Sequence, residues 1–120
     1  MDEQAKDYLL NIPLWTKKKN TLEQTRHFLE QLGNPQQDLA VIHVAGTNGK
    51  GSVCADLTGV LKEAGYRVGT FVSPHLVDIR ERFLMNGELV AEAVFEDCFR
   101  QVLSVTKRLM VRGYCHPTFF

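Results

Sequence analysis

The stretch HVAGTNGKGSV, His43 to Val53, sets one lysine among glycines between two segments of different pattern. Upstream, LAVIHVAG (Leu39 to Gly46) is a run of apolar and β-branched residues with one histidine, which predicts a strand buried on both faces. Within it His43 reads as a satisfied core histidine. Downstream the period changes. Val53, Leu57, Val60, Leu61 and Ala64 recur at helical spacing from Lys50 to Ala64, and Gly65 supplies a left-handed stop. YRVGTFVS (Tyr66 to Ser73) reads as a second buried strand. Strand, glycine loop, helix and strand together predict a βαβ unit with a right-handed crossover.

On the N-terminal side, DEQAKDYLLNI predicts a short helix ending before Pro13, and WTKKKN after it is loop-like. Lys17, Lys18 and Lys19 read as a solvated charge run, with phosphate binding as the alternative. Trp15 reads as an aromatic packing a helix–loop junction. TLEQTRHFLEQLGNP predicts a helix with a Thr21/Gln24 capping box, stopped by Gly33, Asn34 and Pro35. On the C-terminal side, RERFLMNGELV predicts a hairpin turning at Asn86 and Gly87. Val94, Phe95, Cys98, Phe99, Val102, Leu103, Leu109 and Met110 then draw one broad apolar stripe on a long helix ending at Gly113.

Composition limits what these elements can do. The chain has 120 residues, 44% hydrophobic and 23% charged, which is ordinary for a folded globular chain. Fourteen basic residues balance fourteen acidic ones, so no global field points to nucleic acid or an anionic membrane. Any anion site must be local. Cys54, Cys98 and Cys115 are far apart with no CxxC pair, which predicts free thiols in a reducing compartment rather than a zinc site or disulfide framework. The acidic start MDEQAKDYLLNI lacks the pattern of a secretory signal, and no segment approaches the ~20 apolar residues of a membrane span. A cytoplasmic location is the expectation.

A loop between a buried strand and a helix start leaves backbone N–H groups unpaired at the positive end of a helix dipole. Gly46, Gly49 and Gly51 would let that backbone approach phosphate oxygens closely, Lys50 would add a full charge, and Ser52 a hydroxyl for magnesium. The common signature GxxxxGK[ST] fails twice here, because its first glycine would fall at Val44 and Gly51 replaces the hydroxyl residue. Read from the residues alone, GTNGKGS is either a nucleotide phosphate loop or a tight connection with Lys50 in water.

GTNGKGS resembles the nucleotide loop of the Mur ligase superfamily, and its Gly-Ser after the lysine resembles the folate branch, the folylpolyglutamate and dihydrofolate synthases. SPHLVDIRERFLMNGELV is similar to a second block of that family, downstream at the expected distance, and LGNPQQDLAVIHVAGTNGKGSV to a continuous run of it. The resemblance covers most of the chain. It implies an α/β fold, with residues 1–120 as the N-terminal part of a P-loop-containing, Mur-ligase-like ATP-binding domain built on a mostly parallel sheet flanked by helices. It further implies an ATP- and magnesium-dependent ligase that adds L-glutamate to dihydropteroate or a folate through an acyl phosphate. Neither nucleic acid nor membrane is an expected partner, and the full-length enzyme is expected to be a monomer.

Carried over by residue, the resemblance gives Gly46, Thr47, Asn48, Gly49, Lys50, Gly51 and Ser52 to the phosphates, with Lys50 as the catalytic charge. It gives Ser52 and Ser73 to magnesium, and Pro74, His75, Arg82, Thr118 and Phe120 to the substrate side. Ser73-Pro74 could equally be a strand-ending turn, and Arg80, Glu81 and Arg82 a solvated charge cluster. The family's glutamate after Thr-x-Phe, its later histidine and modified-lysine region and its C-terminal domain lie outside these residues. The expectation is therefore an incomplete, inactive N-terminal portion of poor solubility. Two other readings stay open: a non-catalytic nucleotide-binding module, and a cell-wall Mur-type ligase, against which Gly51 argues.

Overall fold

The computed structural model describes residues 2–13 and 21–118. The loop expected over WTKKKN, with Trp15 and Lys17 to Lys19, lies outside them, as does Phe120. The chain divides into two compact units, one of Met1–Ala40 with Glu92–Phe120 and one of Val41–Ala91.

In the first unit, helix α1 (Glu3–Leu10) starts where the Asp2 carboxylate accepts the Gln4 N–H, and it stops ahead of Pro13 as expected. Helix α2 (Leu22–Gln31) is capped by Thr21, whose hydroxyl accepts the Gln24 N–H at 3.1 Å. The Gln24 amide also donates to the Cys115 carbonyl, tying α2 to the segment after the last helix. Gly33 and Asn34 take positive φ of 82° and 53°, which lets the Asn34 N–H close back onto the Leu29 carbonyl and ends the helix. A 3₁₀ turn, Pro35–Asp38, comes next.

Helix α4 (Glu92–Val111) packs Val105 and fully buried Leu109 against Phe28 of α2, with Leu32 and Tyr114 at the margin. The single broad stripe expected on α4 is split. Val94 is 52% exposed and Val102 and Met110 are each 44% exposed.

In the second unit, helix α3 (Lys50–Glu63) comes after left-handed Gly49 and ends at Ala64 and left-handed Gly65. Strands β1 (Gly69–Phe71), β2 (Phe83–Met85) and β3 (Glu88–Leu89) form one sheet in that order, both pairings antiparallel, with Thr70 opposite Leu84 and Leu84 opposite Leu89. The expected hairpin is present. Asn86 and Gly87, both at positive φ, connect β2 to β3, as a type I′ turn requires. The Asn86 backbone N–H donates to the Val68 carbonyl and its side-chain oxygen accepts the Val68 N–H, which prolongs the β1–β2 pairing. Ile79 and Val90 are buried here, together with Thr58 and Arg82.

The parallel sheet is a correction. Among the described residues no strand pairs in parallel, and Leu39–Gly46 is neither a strand nor buried. Leu39, Val41 and Ile42 are 65%, 76% and 62% exposed. His43 is exposed too, so it is not a core histidine. The physical reason is non-local: a strand buried on both faces needs a hydrogen-bonded neighbour and two covering layers, and β1 is laddered to β2 alone. The second predicted strand, Tyr66 to Ser73, is present as the three residues Gly69–Phe71, each paired with β2 in an antiparallel ladder.

Candidate phosphate loop and the segment beside it

Ala45 to Ser52 are solvent-exposed. Gly49 is the N-cap of α3 at φ 78° and offers no side chain to the helix. The helical ladder begins with the Val53 N–H donating to the Gly49 carbonyl, so the N–H groups of Lys50, Gly51 and Ser52 precede it. A Cβ on Gly46 would sit 3.9 Å from Lys50 Cγ, which places the lysine stem over the start of the loop.

The other helical starts carry their own anion. Asp2 and Glu3 serve α1, Glu23 serves α2 behind the neutral Thr21 cap, and Glu92 lies in the first turn of α4. Among the described residues, α3 is the one helical segment with no acid in its first turn. Its positive end faces water without internal compensation.

Buried Thr58 on α3 donates to the Cys54 carbonyl at 2.7 Å and lies 2.6 Å from the Thr70 hydroxyl on β1. Because the chain reverses at Gly65, β1 runs back along α3. From this contact Lys50 is eight residues away, about 12 Å at 1.5 Å per helical residue. Ser73 is three residues the same way, about 10 Å in extended chain. The turn at Ser73 thus comes to the end of the unit where the glycine loop lies.

Side chains build the segment after Ser73. Glu81 accepts the N–H groups of Leu76 (2.8 Å), Val77 (3.0 Å) and Asp78 (2.8 Å). Those three amides, Asp78 foremost, hold its carboxyl below the ordinary value. Asp78 caps the 3₁₀ turn Ile79–Arg82 by accepting the Arg80 N–H, and pairs with the Arg80 guanidinium at 2.9 Å. Arg80 also donates to the Val90 carbonyl. Arg82, 7% exposed, donates from Nε to His75 Nδ1 at 2.8 Å, and its carbonyl accepts the Val72 N–H. The solvated-cluster reading of Arg80, Glu81 and Arg82 is therefore corrected: all three hold the loop. Asp78 was missed, although Asp78-x-x-Glu81 is a legible capping-box pattern.

Gly46 to Ser52, Ser73, Pro74, His75 and Arg82 all belong to the Val41–Ala91 unit. Thr118 lies in the other, beyond His116, which is hydrogen-bonded to the Tyr8 hydroxyl and contacts the Pro117 carbonyl. The three cysteines are free. Among the described residues no group of three or more His, Cys, Asp or Glu side chains is placed to hold a metal, and no helix is long and apolar enough to cross a membrane.

No family model matches the chain. It is 36% identical over 102 residues to the dihydrofolate synthase/folylpolyglutamate synthase of Bacillus subtilis, covering 85% of this chain and 24% of the relative. The crystal structure of folylpolyglutamate synthase from Thermotoga maritima matches 98% of this chain and 27% of its own, with 34% identity and a TM-score of 0.84. A folylpolyglutamate synthase complex with AMPPCP and folate matches 98% of this chain and 29% of its own, with 30% identity and a TM-score of 0.86. The chain spans 14–24% of the length of the curated relatives it matches.

Proposed function

Since this chain belongs to the folylpolyglutamate and dihydrofolate synthase family, we propose that its glycine loop holds the phosphates of ATP for a ligase joining L-glutamate to dihydropteroate, a folate or both. The observation that carries this reading is the start of α3, which has neither a side-chain cap nor an acid in its first turn. An anion from outside would complete it.

In the proposed reaction a carboxylate oxygen of the acceptor attacks the terminal phosphorus of ATP, the bond from that phosphorus to the bridging oxygen breaks, and ADP leaves with the bonding pair. The glutamate amine then attacks the acyl carbon, phosphate leaves with the bonding pair, and the amine loses a proton to give the amide. The obstacle is repulsion between anions. The Lys50 ammonium and the N–H groups of Lys50, Gly51 and Ser52 offset it by meeting the phosphates in a fixed arrangement. Magnesium, when bound, neutralises further charge on the phosphates. Ser52 and Ser73 would hold it with few protein oxygens, which suits an ion that keeps phosphate and water ligands. Pro74, His75, Arg82, Thr118 and Phe120 are assigned to the acceptor and phosphate surroundings, and the cytoplasm and a monomeric full-length enzyme are part of the same proposal.

Calorimetric titration with AMPPCP and magnesium chloride tests the loop. Lys50→Ala is expected to weaken binding roughly tenfold to a hundredfold, the size of one charge-assisted hydrogen bond, with an unchanged helical circular dichroism spectrum. Equal binding by parent and variant would falsify the assignment. A glutamylation assay with dihydropteroate and with a folate separates a ligase from a module that binds nucleotide without chemistry.

A further inference from the structure

We propose that Arg82 is a positioning residue which locks the His75 ring with its proton on Nε2, so that His75 presents a hydrogen-bond donor to the nucleotide phosphates at the glycine loop. This deepens the ligase reading and rests on it.

The guanidinium Nε carries one hydrogen and no available lone pair, so in the 2.8 Å contact Arg82 must donate and His75 Nδ1 must accept. A neutral imidazole has one proton to place. With Nδ1 committed as acceptor, that proton lies on Nε2, the nitrogen on the far side of the ring from Arg82. The lock is anchored at both ends. Arg82 is 7% exposed, and its carbonyl is tied to the Val72 N–H next to Ser73. Just after the histidine, Glu81 clamps the amides of Leu76, Val77 and Asp78. The His75 ring is therefore held by a buried cation, and the chain just after it is held by Glu81. His75 comes two residues after Ser73, which the residue count from the Thr58–Thr70 contact brings toward the α3 start, and in this proposal an anion held there meets N–H rather than a lone pair. A free imidazole would offer either face, and the acceptor face would repel phosphate oxygen.

The ring protonation site is read directly in a long-range proton–nitrogen correlation spectrum of the protein with isotopically labelled histidine. His75 is expected as the Nε2–H form alone, and Arg82→Lys, which lacks the Nε donor, is expected to show both forms. A parent His75 with its proton on Nδ1, or a pattern indifferent to Arg82→Lys, overturns the lock. Should Arg82→Lys not fold, the parent spectrum decides. The donor role is tested by titrating AMPPCP with magnesium chloride into His75→Gln, whose amide N–H reaches the Nε2 position, and His75→Asn, whose amide reaches only Nδ1. His75→Gln is expected to bind roughly tenfold tighter than His75→Asn, one hydrogen bond to an anion. Equal affinities overturn the donor role while Lys50→Ala still weakens binding. Full AMPPCP binding by Lys50→Ala instead sinks the ligase reading, and the spectrum continues to report on Arg82.

Discussion

Glu81 makes three charge-assisted contacts to successive backbone amides, and a carboxylate so placed is stabilised in its ionised form. Its folded-state carboxyl titrates below the ordinary 4.5, with the Asp78 amide the largest cause. For a depressed acid, the stabilisation is present in full above the unfolded value and is lost as pH falls through the folded value. In urea titrations, the midpoint gap between parent and Glu81→Gln is therefore expected to be constant from neutrality to about 4.5 and to narrow at lower pH. A gap independent of pH throughout would show that the clamp draws nothing from the charge. Single residues were unevenly legible. Lys50 and its glycines mark a helix start, and α3 does begin at Lys50 after left-handed Gly49, while the strand read ahead of them is absent and their hold on phosphate is the proposal made above. The roles of Arg80, Glu81 and Arg82 depend on which amides a folded loop brings to them, and a charge-rich tripeptide carries no mark of that. His43 was misjudged because its surroundings, not its neighbours in sequence, decide burial.

The pairing of α3 with β1 turns on Thr58, a polar residue within a helix whose apolar face the sequence marks clearly. Its hydroxyl serves both the Cys54 carbonyl and the Thr70 hydroxyl, so the contact ties α3, which begins at the glycine loop, to β1, which leads to Ser73. Thr58→Val keeps the shape and deletes those bonds, and is expected to cost about 1 kcal/mol. The check is a lower urea midpoint at unchanged slope. A midpoint equal to the parent's would mean that packing alone sets the register. At this scale helices and turns were well foretold, since Thr21, Gly33, Gly65 and Gly113 act locally. The hairpin was too, through Asn86 and Gly87. Strands were not: an apolar run reports that burial is wanted, while pairing depends on residues distant in sequence, and Leu39–Gly46 finds no ladder among those described.

Each of the two units has a thin core, with Phe28, Val105 and Leu109 in one and Ile79 and Val90 in the other. Against that, LAVIHV from Leu39 to Val44 is six residues of high β-propensity with no Asp, Glu, Lys, Arg, Pro or Gly, and Leu39, Val41 and Ile42 are more than half exposed. Such a run, unpaired and apolar, is a template for another strand. For the 120-residue chain by itself, the strand available in every solution is the same run of a second copy. Self-association that rises with concentration is the expected result in sedimentation velocity. Ile42→Lys places a charge where two copies would meet and removes an apolar side chain whose burial is worth about 1.5–3 kcal/mol, so association should weaken roughly tenfold or more. The substitution lies outside the glycine loop, and the circular dichroism of the helices should stay unchanged. A parent that sediments as a monomer at every concentration, or an Ile42→Lys variant that associates as strongly, would show that the exposed run is protected by some other means. The same apolar character that made these residues look like a buried strand is then what drives the isolated chain to find a neighbour.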